Sequence, residues 1–495
     1  MLKFVNFVSC LQKIDDLKRK FVTNLALLLS LNLLVKPFWM FGIDRKVQNI
    51  VGVDEYGFYI SLFSFSLLLN FLLDIGITNF NNRNIAQHSQ LLSKYFSNLV
   101  VLKFSLAVIY LITSLTAAYF VGYDSSQFKL LLFLTFNQFL LSFILYLRSN
   151  ISGLHLFRTD SLISVLDRTI MIGICAVLIW GNVTEAPFQI EWFVYAQTSG
   201  YFLTAFITFL VVVSKTKFLK LKFDWIFFRL IFKQSYPFAL LVLLMTLYWR
   251  VDSVMLERLL GKEHAGIYAQ SFRILDAVSM FALLFANLLL PIFSRMIKQK
   301  EPVVQMVQLS FLLLVIPAII IAITSSVYGY EIINLMYHEH IETSSRIFSI
   351  LILGFIPISI TYIFGTLLTA NGSLKALNIM ALGGMIMNIG LNFLLIPRYG
   401  AFGSAVASFA TQSFTAIVQI LIARKIFGFS LNYKLLTAIF FFITGVFLLA
   451  WFSFKHTDTW IITYIAIIIL SISLAFLLKL LNLHDLYKII RFGDS

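Results

Sequence analysis

The sequence predicts an all-helical protein that crosses a membrane many times, with about fourteen transmembrane helices. Hydrophobic residues make up 60% of the 495 residues, aromatic residues 16% and charged residues only 12%. A soluble domain has about half its residues apolar and about a quarter charged. This composition therefore excludes an ordinary soluble enzyme, and it also excludes a disordered chain, which could not leave so much apolar surface in water.

Apolar stretches recur along the whole chain, each close to the ~20 residues that one membrane-spanning helix needs. The segments between them are short, so none is expected to fold as a separate soluble domain. The fourteen predicted spans are 21–41, 56–77, 95–121, 128–148, 161–181, 189–213, 235–257, 267–293, 303–328, 346–370, 376–396, 401–423, 435–454 and 460–480.

The distribution of basic residues predicts the orientation of the spans. The net charge is +15, from 38 Lys and Arg against 23 Asp and Glu. With the N-terminus in the cytoplasm, the cytoplasmic segments hold 25 of the Lys and Arg residues and the opposite segments hold 8. Cytoplasmic loops of membrane proteins carry such an excess. We therefore expect both termini in the cytoplasm. We also expect the basic residues to interact with the lipid bilayer rather than with a nucleic acid.

The pattern of charge and hydrophobicity predicts two lobes of helices joined by a basic linker. The first twenty residues show one apolar and one charged face, typical of a helix on the membrane surface. The linker alternates Lys and Arg with aromatic residues, which predicts a helix that lies on the anionic cytoplasmic leaflet. The predicted parts are the surface helix 1–20, the N-terminal lobe 21–213, the linker helix 214–234, the C-terminal lobe 235–423, the last two spans 435–480 and a cytoplasmic tail 481–495.

A short internal similarity supports two related lobes. Gly57–Tyr59 opens the second span and Gly266–Tyr268 opens the eighth, and acidic or polar residues precede both. Transporters built from structural repeats show weak similarity of this kind. Chance similarity between two span starts remains the alternative.

Ionisable residues inside the seventh and eighth spans predict a polar site. An ionised side chain at the centre of a span costs at least ~2.5–3.5 kcal/mol, so each needs a partner or water. The seventh span contains Arg250 and Asp252, and the eighth contains Arg273 and Asp276. If these spans are antiparallel neighbours, the four side chains share one polar interior that would bind an anionic group. A structural ion pair, or snorkelling to the interface, is the alternative.

Other charged residues lie near the ends of spans. Lys36 ends the first span and would line the same cavity or snorkel to the outer interface. Asp74 lies near the cytoplasmic end of the second span, where helix capping is the simplest interpretation, and Arg83 follows it. Asp167 and Arg168 fall in the first turns of the fifth span, which predicts an interfacial position.

The sequence shows no pattern of a catalytic centre. It contains no Walker loop, no dinucleotide-binding fingerprint and no metal-ligand spacing. Cys10 and Cys175 fall at different depths, so no disulfide is expected. We therefore predict that the protein is not an enzyme, holds no metal and needs no cofactor beyond a coupling ion.

Several short motifs resemble those of a known family. Asp74–Gly76 followed by Arg83–Ala86 resembles the second-span signature of polysaccharide transporters. Tyr248–Asp252, then Gly266–Ala269, resembles their seventh and eighth spans, and Pro397–Gly403 resembles their eleventh-to-twelfth turn. In order and spacing, the motifs resemble the Wzx-type O-antigen flippases. The superfamily of these flippases also includes multidrug and toxin extruders and peptidoglycan lipid flippases.

The resemblance implies two helical bundles around a central cavity that opens alternately to each side. The implied substrate is an undecaprenyl-diphosphate-linked oligosaccharide, a repeat unit of O-antigen, capsule or exopolysaccharide. It would be flipped from the cytoplasmic to the outer leaflet of a bacterial inner membrane. A polysaccharide polymerase and its chain-length machinery are the implied protein partners.

The resemblance also suggests roles for the charged residues, as hypotheses about their positions. Substrate binding would involve Arg250, Arg273 and Lys36, while coupling to Na+ or H+, or gating, would involve Asp252, Asp276, Asp74 and Arg83.

Two other functions compete with the flippase. A multidrug extruder of the same fold would favour cationic drugs and an acidic interior, whereas three cations and two acids are the cavity candidates here. A membrane glycan polymerase or ligase would need a longer reactive outer loop than the predicted one at 329–345.

Overall fold

The computed structural model describes residues 30–32, 34–78, 81, 85, 91–154, 156–181, 183, 186–216, 225–430, 432–456 and 459–481. The predicted surface helix 1–20, Arg83 and all but the first residue of the predicted tail 481–495 therefore lie outside the described residues.

The described residues form helices joined by short connections, and no strand occurs among them. In chain order the helices are α1 (Arg45–Leu68), α2 (Leu91–Val121), α3 (Ser125–Gly153), α4 (Phe157–Trp180), α5 (Ile190–Val213), α6 (Trp225–Leu260), α7 (Lys262–Lys298), α8 (Val304–Val327), α9 (Gly329–Met336), α10 (Ile341–Leu351), α11 (Phe355–Ala370), α12 (Leu374–Phe427), α13 (Tyr433–His456) and α14 (Trp460–Leu477).

The structure confirms an all-α protein with many membrane spans. Within the described residues, eleven helices are long and apolar enough to cross a membrane. One of them, α12, contains the eleventh and twelfth predicted spans and bends at Gly400, whose φ is 59°. Large apolar side chains such as Phe120 and Leu477 are 81% and 77% exposed. Such exposure is expected where a helix faces lipid, and about fourteen spans agree with this architecture.

The first two spans differ from their predicted boundaries. A π-helical segment, Phe38–Asp44, runs directly into α1, so the predicted loop between the spans is helical and only Gly52, at φ 81°, interrupts it. The second span was predicted to reach residue 77, but α1 ends at Leu68 and a 3-10 turn, Asn70–Leu73, follows.

Two predicted connections are also helical. The outer loop predicted at 329–345 contains α9 and the start of α10. The apolar residues Ile333 and Phe348 of these helices pack in one cluster with Ile274, and this burial explains why the segment folds. In the predicted linker 214–234, residues 225–234 are the first turns of α6, which continues to Leu260.

The described chain divides into two compact units. The first comprises Met1–Gly52 and Leu62–Leu243. In it, α3 packs against α2 and α5, α5 also packs against α4, and the 3-10 turn after α1 packs against α2. The predicted lobe boundaries stay a prediction.

The second unit comprises Val53–Ser61 and Leu244–Ser495. Its helix α7 packs against α10, α11 and α12, while α11 also packs against α8 and α12. The last two spans, α13 and α14, pack against each other and against α8. The nine residues Val53–Ser61, predicted within the N-terminal lobe, group with this unit.

The two glycines of the internal similarity lie against each other's helices within the second unit. A Cβ atom built on Gly57 would lie 1.9 Å from the carbonyl oxygen of Lys262 and 2.7 Å from the nitrogen of Gly266. A Cβ atom on Gly266 would lie 2.0 Å from the carbonyl oxygen of Val53. The two backbones thus approach as closely as glycine permits, which is the role of small residues at membrane helix contacts.

A side chain at this crossing should therefore destabilise the protein. We predict that Gly266→Ala lowers the free energy of unfolding by at least about 1–3 kcal/mol, the usual cost of overpacking. Thermal unfolding of the purified protein in detergent measures the effect.

Gly390→Ala is the matched control, because a Cβ atom there meets nothing within 4 Å. Equal melting temperatures for Gly266→Ala and Gly390→Ala would show that the two helices do not touch at Gly266.

Candidate functional site

An arginine and a carboxylate pair between α6 and α7. Arg250 Nη2 lies 3.1 Å from Asp276 Oδ2, and their side chains are 19% and 12% exposed. The Trp249 ring nitrogen donates to the same carboxylate at 3.4 Å, and the Arg250 guanidinium lies 5.3 Å from the Phe272 ring centroid. The structure thus brings Arg250 onto the turn of α7 that carries Arg273.

Arg273 interacts with an aromatic residue of α1. Its Nε donates to the Tyr56 hydroxyl at 3.0 Å, and its guanidinium carbon lies 6.0 Å from the centroid of the same ring. Tyr56 is fully buried. Sequence reasoning did not identify Tyr56, whose only signal was its position three residues before Tyr59 at the start of a span.

Asp252 lies in a different environment from Asp276, although both were predicted to share one site. Its side chain is 1% exposed. The Tyr268 hydroxyl and the Asn392 side-chain amide each donate to its carboxylate at 2.8 Å. The Ser404 hydroxyl donates to the Asn392 amide oxygen at 2.8 Å, and Asn388 also lies beside the carboxylate. Its partners among the described residues are neutral.

The asparagines were missed by the sequence reasoning, which considered only ionisable residues. Asn388 and Asn392 are four residues apart in the apolar first half of α12 and are both fully buried. Two amides at that spacing on one face of a membrane span were the available signal.

A buried lysine in the first unit is the partner of Asp74. Lys103 of α2 is 1% exposed, and its ammonium donates to Asp74 Oδ1 at 2.5 Å, to the Leu73 carbonyl at 2.9 Å and to the Ser142 hydroxyl at 3.0 Å. Asp74 also accepts from the Thr78 backbone N–H at 3.3 Å. Asp74 therefore accepts a hydrogen bond from the turn that follows it and also neutralises a buried cation.

The backbone around Asp74 explains the lysine. Ile75 and Gly76 adopt φ values of 45° and 78°, so the helix cannot continue past Leu73. The Leu73 carbonyl then has no helical donor, and Lys103 and Ser142 both donate to it. Sequence reasoning assigned no role to Lys103.

Lys36 belongs to the first unit, whereas Arg250 and Arg273 belong to the second. It is partly buried and interacts electrostatically with Arg168 and Asp167. Arg168 lies 5.4 Å from the Trp39 ring centroid and 5.5 Å from that of Tyr201. It thus packs between aromatic rings, and the interfacial position predicted for it stays a prediction.

Charged residues buried inside membrane spans are typical of proteins that move substrates or ions across a membrane. Polar and ionisable residues inside membrane spans are rare, face the bundle interior and mark pathways for substrates or ions.

A family model described as "Polysaccharide biosynthesis protein" matches residues 22–297, more than half of the chain, and the chain therefore belongs to this family. A second model, MatE, matches residues 237–394. No curated protein matches the sequence.

Solved structures share the fold. Lipid II flippase MurJ in an inward closed conformation is similar over 93% of this chain and 100% of its own, with a TM-score of 0.71 and 13% identity. An inward-facing multidrug resistance MATE family transporter is similar over 82% and 98%, with a TM-score of 0.59 and 13% identity. A mutant of the Vibrio cholerae MATE transporter VcmN covers the same shares, with a TM-score of 0.57 and 14% identity.

The Lys103–Asp74 pair predicts a specific mutational pattern. Removing one partner of a buried ion pair leaves an uncompensated charge, which costs 3–5 kcal/mol. Because the Asp74 side chain is 35% exposed, we expect Lys103→Met to cost about 3 kcal/mol, measured as a lower melting temperature of the purified protein. The double variant Lys103→Met/Asp74→Asn should recover part of this loss.

Lys129→Met serves as the control, since Lys129 is exposed. Lys103 and Asp74 do not interact if the stability lost by the double variant equals the sum of the losses of Lys103→Met alone and Asp74→Asn alone.

Proposed function

We propose that this protein is a flippase that moves an undecaprenyl-diphosphate-linked oligosaccharide from the cytoplasmic to the outer leaflet of a bacterial inner membrane. The oligosaccharide would be a repeat unit of O-antigen, capsule or exopolysaccharide. The protein would act by alternating access, without enzymatic catalysis and with both termini in the cytoplasm. A polysaccharide polymerase and chain-length machinery would receive the product.

The observation that carries this proposal is the pair of partly buried arginines, Arg250 and Arg273, within spans of the second unit. A guanidinium has five N–H donors in a fixed plane and binds phosphate in a bidentate manner. The contact of Arg250 with Asp276 occupies Nη2, which leaves donors for phosphate oxygens. The 19% of the Arg250 side chain that is exposed gives an anion access to them.

Asp276 also fits this role. A cation of this kind needs a partner when no substrate is bound, because an uncompensated charge within the membrane is unfavourable. Asp276 provides that partner at 3.1 Å. A diphosphate would then compete with the carboxylate for Arg250, so that substrate binding would change the charge balance between α6 and α7.

Asp252 is the residue that best fits coupling to Na+ or H+. Its carboxylate is surrounded by oxygen-bearing side chains, including Asn388, Asn392 and Ser408, and hard cations prefer carboxylate and carbonyl oxygens. A bound cation or proton would supply the charge that neutralises Asp252.

The same-fold alternative is a multidrug extruder, which the MatE match over residues 237–394 keeps in consideration. Arginines in the second unit favour an anionic substrate over the cationic drugs of such extruders. A glycan polymerase or ligase is less well supported, because the predicted outer loop is largely occupied by α9 and α10.

Deletion of the gene in its native host separates these functions. We expect lipid-linked oligosaccharide to accumulate intact on the inner face of the membrane. Labelling of the accessible glycan in right-side-out and inside-out vesicles measures this. Normal surface polysaccharide together with altered drug export would instead identify an extruder.

Substitution of the arginines tests the proposed site directly. We predict that Arg250→Ala and Arg273→Ala each lower flipping of a diphosphate-linked oligosaccharide in proteoliposomes by at least about tenfold, since each charge-assisted contact contributes about 1.5–3 kcal/mol. Membrane abundance should remain unchanged.

Arg346→Ala is the control, because Arg346 is 72% exposed and pairs with Glu342, an exposed residue four positions away on the same helix. The control should flip the substrate at the wild-type rate. If Arg250→Ala and Arg273→Ala also do so, the two arginines are not part of the substrate site.

A further inference from the structure

The second half of α12 carries a continuous polar face inside the second unit. Its side chains recur every three or four residues, which places them on one side of the helix, and each is at most 5% exposed. They are Ser404, Ser408, Thr411, Gln412, Thr415 and Gln419. From Ser404 to Gln419 the helix rises about 22 Å, most of the ~30 Å thickness of a hydrocarbon core.

One end of this polar face reaches Asp252. Ser404 donates to Asn392, which in turn donates to Asp252, and Ser408 lies beside the same carboxylate. The other end, at Gln419, precedes the basic residues Arg424 and Lys425, which the distribution of charge places in the cytoplasm. The polar face therefore extends from the buried acid towards the cytoplasmic end of the helix.

Several polar atoms along this face have no protein partner among the described residues. The Thr411 hydroxyl and the amide oxygens of Gln412 and Gln419 are buried without a hydrogen bond, and so is the Tyr248 hydroxyl. About 90% of buried polar groups pair with protein or water, and each one left unpaired costs about 1–3 kcal/mol. The Thr415 hydroxyl between them donates to the Gln412 carbonyl at 2.9 Å, but unpaired atoms at three other positions of the face indicate water along the helix.

Two glycines on neighbouring segments make room for this face. A Cβ atom on Gly384 would lie 2.9 Å from Thr415 Cγ2 and 3.7 Å from the Tyr248 ring. A Cβ atom on Gly365 would lie 3.0 Å from the Gln419 amide oxygen. A larger residue at either position would press on the polar side chains, so the backbone at both glycines packs closely against this face.

We propose that the polar face of α12 is a hydrated path between Asp252 and the cytoplasm, through which the coupling cation or proton leaves. The passage of the ion rests on the proposed function, since it needs Asp252 to bind the ion. Hydration of the path does not, because it follows from the buried polar atoms alone.

Thiol labelling of the full-length protein tests the hydration. In a background of Cys10→Ser and Cys175→Ala, single substitutions Thr411→Cys, Thr415→Cys and Gln419→Cys are exposed to the membrane-impermeant cation 2-(trimethylammonium)ethyl methanethiosulfonate in inside-out vesicles. The reagent attacks thiolates, which form only where water is present. We expect these three variants to react at least about tenfold faster than the controls.

The controls are Ile417→Cys and Leu421→Cys, whose native side chains are 57% and 56% exposed on the same helix and would face lipid at similar depth. Reaction of the three polar-face variants at the slow rate of these controls would overturn the proposal.

A second measurement tests the passage of the ion. Thr411→Val removes an unpaired hydroxyl with little change in shape. In a dry interior, Thr411→Val would have no effect or would stabilise the protein. If the path is hydrated, Thr411→Val should slow flipping driven by a Na+ or H+ gradient several-fold, while flipping still responds to the gradient. Thr444→Val, on the exposed surface of α13, is the control, and wild-type rates for Thr411→Val would contradict the path.

Asp252→Asn separates this proposal from the proposed function. If the gradient no longer affects flipping by Asp252→Asn but the thiols fail to react, coupling at Asp252 stands and the path is wrong. If the thiols react but Asp252→Asn responds to the gradient like the wild type, the path is hydrated but the ion does not leave from Asp252, and that part of the proposal is wrong.

Discussion

The structure depends on one constraint, that a charge within membrane-spanning helices needs a partner that the hydrocarbon cannot supply. The described residues meet this need in different ways. Lys103 and Arg250 pair with the carboxylates of Asp74 and Asp276, whereas the described partners of Asp252 are neutral hydroxyl and amide groups. An ion pair is complete in itself, but a carboxylate among neutral groups still favours a cation or proton. This difference is the physical reason for assigning coupling to Asp252.

The two units therefore use similar residues for different purposes. In the first unit, Lys103 is almost completely buried and binds three acceptors around a break in the backbone, an arrangement that fixes the end of the 3-10 turn that follows α1. In the second unit, the Arg250 side chain is 19% exposed and its contact with Asp276 involves Nη2, which suits the proposed binding of an anionic ligand. The first arrangement stabilises the fold, and the second is the one to which we assign substrate binding in the proposed function.

The sequence predicted the fold well because apolar span length and charge distribution are local properties. It also predicted a turn between the eleventh and twelfth spans at Pro397–Gly403, where α12 bends at Gly400. The roles of Arg250, Asp252, Arg273 and Asp276 stay predictions. The sequence could not predict the partners, since Lys103 and Asp74 are 29 residues apart and Arg273 and Tyr56 are 217 apart. Only packing brings such residues together. The neutral residues Asn388 and Asn392 were missed because their role depends on the carboxylate that they surround.

Binding of undecaprenyl lipids to the purified protein, measured by native mass spectrometry, tests the central claim most directly. The account predicts that undecaprenyl diphosphate binds more tightly than undecaprenyl phosphate and much more tightly than uncharged undecaprenol, and that substitution of both Arg250 and Arg273 removes the difference. Equal binding of all three lipids, or a preference for the diphosphate that survives the loss of both arginines, would contradict it.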